Sequence, residues 1–141
     1  MKVLLPVDGS DCANETLDWA AHLLNPKDTD YALLYVIPVL PDLNSVEFDI
    51  MDATTMLCRS REMLEKQGCR VVFSDYALGD AAEQICQAAD DLAVDQVIMG
   101  SHGRSGLNKL LMGSVSTKVL EHCCRPVTVH RNVQPTGAAS R

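Results

Sequence analysis

The sequence predicts an α/β fold: a single doubly wound, Rossmann-like sheet of five parallel strands with helices on both faces. Three observations carry this. Four short apolar runs, Val3–Val7, Tyr31–Val36, Val94–Met99 and Val127–Val129, are continuous rather than alternating, the pattern of strands covered on both sides. A fifth run, Arg70–Tyr76, is more mixed. Helical periodicities separate the runs, so the element order is β-α-β-α-β-α-β-α-β, which implies right-handed crossovers. The strand order expected for such a sheet is 3-2-1-4-5.

Each helix has local reasons to start and stop. Ala13, Leu17, Ala20, Ala21 and Leu24 recur at helical spacing, with Ser10 or Asp11 placed to cap the start and Asn25-Pro26 to stop it. A longer helix runs from about Val46 to Lys66, with Ile50, Met56, Leu57 and Leu64 among its apolar positions and Gly68 ending it. Asp80, with Glu83 three residues on, opens a third helix through Ile85, Ala89 and Leu92. The last starts at Gly113-Ser114 and passes through Val115, Val119 and Leu120 to about His122. Pro38–Asn44 reads as a loop. The domain spans 1–132, and the small, polar residues 133–141 read as a flexible tail.

At 141 residues the chain is sized for one domain, and with only 4% aromatic residues its core must be built from Val, Leu, Ile and Ala. The net charge of −7 argues against nucleic acid or an anionic membrane as partner, since both need a cationic surface. It leaves room for a phosphate in a small, locally favourable site. The first apolar run is too short for a signal peptide and is followed at once by Asp8 and Asp11. No stretch approaches the roughly 18 apolar residues that span a bilayer. A soluble, cytoplasmic protein is the expectation. The six cysteines lack Cys-x-x-Cys spacing, so buried free thiols are expected rather than disulfides or a zinc site.

Ligands of open parallel sheets bind beyond the carboxyl ends of the strands, near the point where strand order reverses. Three segments arrive there: Asp8-Gly9-Ser10, Val36-Ile37-Pro38, and the stretch from Gly100 onward. In the last, Gly100, Gly103, Gly106 and Gly113 make a glycine-rich loop that ends at a helix start, where free N–H groups and the helix dipole favour an anion such as phosphate. Ser114 and Ser116 add hydroxyls, although Ser114 can equally be the helix N-cap. The competing reading is a plain loop with a serine cap. Neither the P-loop nor the Gly-x-Gly-x-x-Gly dinucleotide pattern is present.

Asp8 ends a strand beside a glycine. It can accept hydrogen bonds from a ribose hydroxyl or hold a metal-bound water; alternatively it caps the first helix. His102 and Arg104 flank Gly103 and can touch phosphates or simply face solvent, and Lys109 has a weaker claim. His122-Cys123-Cys124 is explained by a helix end followed by two buried thiols, and His22 and His130 by satisfied or solvent-facing imidazoles. With no Gly-x-Ser-x-Gly elbow and no carboxylate to pair with Asp8, the site reads as one that binds rather than one that catalyses.

These residues resemble the universal stress protein family from Lys2 to about Arg131. The resemblance rests on Pro6-Val7-Asp8-Gly9-Ser10, Met99-Gly100-Ser101-His102-Gly103-Arg104-Ser105-Gly106, Leu111-Met112-Gly113-Ser114-Val115-Ser116 and Arg125-Pro126-Val127-Thr128-Val129. The spacing Gly100-x₂-Gly103-x₉-Gly113-Ser114 is that of the family's ATP-binding branch. The resemblance implies that Asp8 contacts ribose or base, that Val36 lines the adenine pocket, and that Met99 and Gly100 sit against the ribose and α-phosphate. It implies that Gly103, Gly113, Ser114 and Val115 hold the phosphates, with Mg²⁺ riding on phosphate oxygens and no protein metal ligand. The full expected set is Pro6, Val7, Asp8, Val36, Met99, Gly100, Gly103, Arg104, Gly113, Ser114, Val115 and Ser116, with no catalytic residue among them.

The resemblance further implies a homodimer through the last strand, Val127–Arg131, with a tetramer conceivable. An ATP-binding stress-response module, whose occupancy tunes assembly or docking to an unidentified protein partner, is the leading reading. A slow ATPase or phosphotransferase, and an interaction protein with a vestigial loop, are the alternatives. On this reading Gly113→Val blocks the phosphate site and leaves the fold intact.

Overall fold

Strands and helices alternate along the chain in the computed structural model, which describes residues 1–38, 46–103 and 112–131, with the backbone alone at 46–48. The order is β1 (Lys2–Val7), α1 (Asp11–Leu23), β2 (Asp30–Ile37), α2 (Val46–Lys66), β3 (Arg70–Leu78), α3 (Ala81–Asp91), β4 (Gln96–Gly100), α4 (Ser114–His122) and β5 (Val127–His130). The strands form one parallel sheet in the order β3-β2-β1-β4-β5, as expected. Arg104, Ser105, Gly106, Lys109, Leu111, the loop beyond Pro38 and the tail 133–141 lie outside the described residues.

The continuous apolar runs have the cause inferred for them. Alternate residues of β1 and β2 enter two separate cores, one on each face. Val3, Leu5, Val7, Tyr31 and Leu33 pack under α1 and α2 with Leu17, Ala20, Leu57 and Leu64. Leu4, Ala32, Leu34, Val97 and Met99 pack under α3 and α4 with Ile85, Ala89 and Val119. β3 reads as mixed because it is a sheet edge, and much of it is exposed or half-buried.

The caps are those the sequence offers. Ser10 Oγ accepts the Ala13 N–H at 3.1 Å, and an Asp80 carboxylate oxygen accepts the Glu83 N–H at 3.1 Å. Gly68 closes α2 at φ +81°, a left-handed turn that a glycine adopts without strain. α3 ends differently: Ala93 takes φ 50° while the Val94 N–H returns to the Ala89 carbonyl at 3.1 Å. The last helix passes through Val115, Val119 and Leu120 to His122 as expected, with Val119 buried and Leu120 44% exposed. One expectation needs correction. Of the cysteines only Cys69 is buried; Cys12, Cys86 and Cys123 are half-buried, and Cys58 and Cys124 are exposed. Cys124 follows the helix end, where the chain has left the core.

Candidate functional site

The winding of the chain opens a crevice at the carboxyl end of the sheet. β1 turns into α1 on one face, whereas β4 receives the chain from α3 on the other. β1 pairs with β2 up to Val7↔Tyr35, but its registered pairs with β4 are Val3↔Gln96 and Leu4↔Val97, at its amino end. Beyond them lies a cavity of about 370 Å³. Its size is that of a small-molecule site.

One wall is apolar: Leu34 and Val36 from β2, Met99 from β4, and Ala81 and Ile85 from the first turns of α3. The floor and opposite wall are Pro6, Val7 and Asp8, Ala13 of α1, Gly100 to Gly103, and Met112 to Ser116. Every residue of the expected set lines this one cavity, except Arg104, which lies outside the described residues. Ala13, Leu34, Ala81, Ile85, Ser101 and Met112 were not anticipated as lining. The signal for Ala81 and Ile85 was present, since the Asp80 cap places the start of α3 at the same end of the sheet.

Asp8 is placed by a tight turn. Gly9 adopts φ +79°, and one Asp8 carboxylate oxygen accepts the Ser10 N–H at 2.9 Å. The helix cap is therefore Ser10, which settles the alternative left open for Asp8. The other carboxylate oxygen faces Gly103, where a Cβ would stand 2.8 Å from it. Asp8 and Gly103 are thus direct neighbours, and both line the cavity.

Ser101 joins the last strand, the loop and the helix. Its N–H donates to the His130 carbonyl at 3.0 Å, and its carbonyl accepts the Gly113 N–H at 2.7 Å and the Ser116 hydroxyl at 3.0 Å. The N-cap of α4 is Gly113, not Ser114, and it has no side chain to satisfy the helix's first N–H groups. The amides of Ser114, Val115 and Ser116 therefore have no capping side chain, and they belong to residues that line the cavity at the positive end of the helix dipole. The Ser116 hydroxyl contributes differently from expectation. It is only 2% exposed and lies 3.0 Å from both the Ser101 and Gly113 carbonyl oxygens, which share its one proton, so it anchors the helix start rather than offering that proton to a ligand.

The three described glycines of the loop pattern have three different reasons to be glycine. At Gly100 a Cβ would meet Cys12 Sγ at 2.7 Å, on the α1 side and away from the cavity. At Gly113 it would meet the Ser101 carbonyl oxygen at 3.1 Å and His102 Cα at 3.6 Å. Gly113→Val therefore strains the junction of β4 with α4, contrary to the expectation that it spares the fold. At Gly103 the neighbour is again a side-chain end, Asp8 Oδ2, but one that lines the cavity.

His130 is held, as foreseen. It stacks on Trp19 with centroids 4.8 Å apart and meets Thr16 Oγ1 through Nδ1 at 3.2 Å. His22 sits exposed beside Asp18. Among the described residues no cluster of His, Cys, Asp or Glu could hold a metal ion, and no helix is long and apolar enough to cross a membrane.

Comparison with known proteins agrees with this architecture. The model of the universal stress protein family matches residues 1–131. Universal stress protein YxiE of Bacillus subtilis is 27% identical, over 92% of this chain and 98% of its own. The solved structure of MJ0577 from Methanocaldococcus jannaschii superposes with a TM-score of 0.80 at 30% identity, covering 94% of this chain and 96% of that one. An Arabidopsis thaliana family protein solved with AMP bound shares the fold at 21% identity, with a TM-score of 0.72 over 96% of this chain and 95% of that one. The chain belongs to the universal stress protein family.

Proposed function

We propose that the cavity binds an adenine nucleotide, ATP with Mg²⁺ on its phosphates, and that the protein is a stress-response module governed by that occupancy. The observation that carries this is the pairing of two unlike walls in one cavity. The apolar slot of Leu34, Val36, Ile85 and Met99 suits a flat base, and the unsatisfied amides at the start of α4 suit phosphate. Asp8, between the two, is where a ribose hydroxyl would donate. Gly103 and Gly113 keep the phosphate end free of side chains. In this reading Mg²⁺ is held by phosphate oxygens, and Arg104 belongs to the phosphate-facing loop.

Assembly through Val127–Arg131 is part of the same reading. β5 pairs with β4 on one side and is the sheet's edge on the other, and its residues are half-buried rather than covered. A second copy added there would satisfy its open backbone groups.

Calorimetry with Mg-ATP, AMP and a non-adenine nucleotide, together with the nucleotide content of the protein as purified, tests the binding. Binding of adenine nucleotides without turnover supports the module. Turnover that disappears in Asp8→Ala would instead establish the slow ATPase. Absence of any binding, with none co-purified, overturns the nucleotide reading.

A further inference from the structure

Outside the cavity, three of the six cysteines come together where α3 packs on the end of α4. Cys86 and Asp90 are four residues apart and so share one face of α3. Arg125, two residues beyond Cys123, holds that face: its Nε donates to an Asp90 carboxylate oxygen at 3.1 Å, and its Nη1 to the Val94 carbonyl at 3.4 Å. This clamp lays the Cys123–Arg125 segment along the turn of α3 that carries Cys86. Cys123 is the C-cap of α4, its N–H bonded to the Val119 carbonyl at 2.9 Å. Both Cys86 and Cys123 pack against the core beneath α3 and α4. Beyond burial, the Cys123 and Cys124 thiols are near enough to push the Cys86 thiol up, and Cys124 is exposed.

We propose that Cys86 and Cys123 form a reversible disulfide that ties α3 to the end of α4 when the protein meets a peroxide. The Cys123 thiolate attacks a peroxide oxygen, breaking the O–O bond, and becomes a sulfenic acid as hydroxide leaves and takes up a proton. The Cys86 sulfur then displaces the sulfenic hydroxyl. The S–S bond forms, and the Cys86 proton leaves with that hydroxyl as a second water. Two thiols and one hydrogen peroxide thus become one disulfide and two waters. A thiol reductant reverses the change by exchange.

Burial, followed by the neighbouring Cys123 and Cys124 thiols and Asp90, pushes the Cys86 thiol up to about 11. Cys86 is therefore the resolving partner rather than the first to react, since the thiolate is the nucleophile. Ile85, next to Cys86, and Ser114–Ser116 at the other end of α4 line the cavity, so the crosslink ties together two helices that each carry lining residues. The disulfide itself stands independently of what the cavity binds.

The test is oxidation of the purified protein with hydrogen peroxide, then alkylation of free thiols and tryptic mapping. Trypsin releases Cys86 in residues 71–104, and Cys123 with Cys124 in residues 119–131, because the Arg125-Pro126 bond resists cleavage. The expected product is those two peptides joined within one chain, lighter by two hydrogens, and separated again by reductant. The link persists in Cys124→Ser and is lost in Cys123→Ser. In Cys86→Ser the sulfenic acid accumulates on Cys123 and is trapped by dimedone. Retention of alkylatable Cys86 while other thiols oxidise, a link that requires Cys124, or thiol loss only through crosslinks between chains would each overturn the proposal.

Discussion

Gly100 sits in a glycine-rich pattern that reads as a ligand loop, yet its geometry assigns the glycine to helix packing, and substitution separates the two. In Gly100→Ala the new Cβ lands 2.7 Å from Cys12 Sγ, about 0.7 Å inside ordinary contact, and 3.2 Å from Thr16 Oγ1. Thr16 cannot yield easily: it is 2% exposed, its hydroxyl donates to the Cys12 carbonyl at 2.8 Å, and it meets His130 at 3.2 Å. Relief must come from the Cys12 thiol swinging to another rotamer or from α1 lifting off the sheet. Overpacking of this kind costs about 1–3 kcal/mol. Cys12→Ala removes the closest atom and leaves contacts of 3.2 and 3.4 Å, so the double variant recovers most of the loss. A double-mutant cycle by urea denaturation should show a favourable coupling of about 1–2 kcal/mol between the two changes. If Gly100→Ala unfolds with the parent's midpoint, or if Cys12→Ala gives no relief, the assignment of Gly100 to α1 packing is wrong. The double variant should also keep the parent's nucleotide affinity, because the added methyl faces α1.

Gly103→Ala should do the reverse, displacing the Asp8 carboxylate end and weakening Mg-ATP binding by roughly 10- to 100-fold in calorimetry while costing at most about 1 kcal/mol of stability. Ser114→Ala should weaken the same binding by about 1.5–3 kcal/mol, one hydrogen bond to a charged group, with the thermal midpoint unchanged because Gly113 and not Ser114 caps the helix. Ala93→Gly relieves a left-handed residue at the end of α3 and should gain roughly 0.5–1 kcal/mol in urea, net of the entropy glycine adds to the unfolded chain; a loss there would contradict the strain assigned to φ 50°. Cys86 is raised from 9.0 to about 11 in the fold, so the unfolded chain releases its proton first as pH rises. Its contribution is complete below pH 9 and is lost between about pH 9 and 11, and denaturation of Cys86→Ala across that window should show a shallower decline. The buried Tyr31 hydroxyl, also pushed up by burial, keeps some alkaline slope in that variant.

How much of this was legible depends on whether the cause is local. β1 and β2 announced themselves because both faces are buried, and the caps at Ser10 and Asp80 because a side chain and an amide three residues away suffice to make them. β3 was blurred for the opposite reason, since an edge strand need not be apolar on every residue. The loop glycines were visible as a pattern, but their reasons were not. The neighbour that forbids a side chain at Gly100 is Cys12, and the one at Gly113 is the Ser101 carbonyl, and neither proximity can be read before the chain is folded. The same limit hid the thiol pair. Cys86 and Cys123 are far apart in sequence, and the packing of α3 and α4 on one core, with the Arg125–Asp90 clamp, brings them together. A spacing motif therefore locates a site without saying which of its glycines serve the ligand. Of those the structure describes, a side chain at Gly103 would press on the Asp8 carboxylate, one at Gly100 on Cys12 of α1, and one at Gly113 on the Ser101 carbonyl that anchors the start of α4.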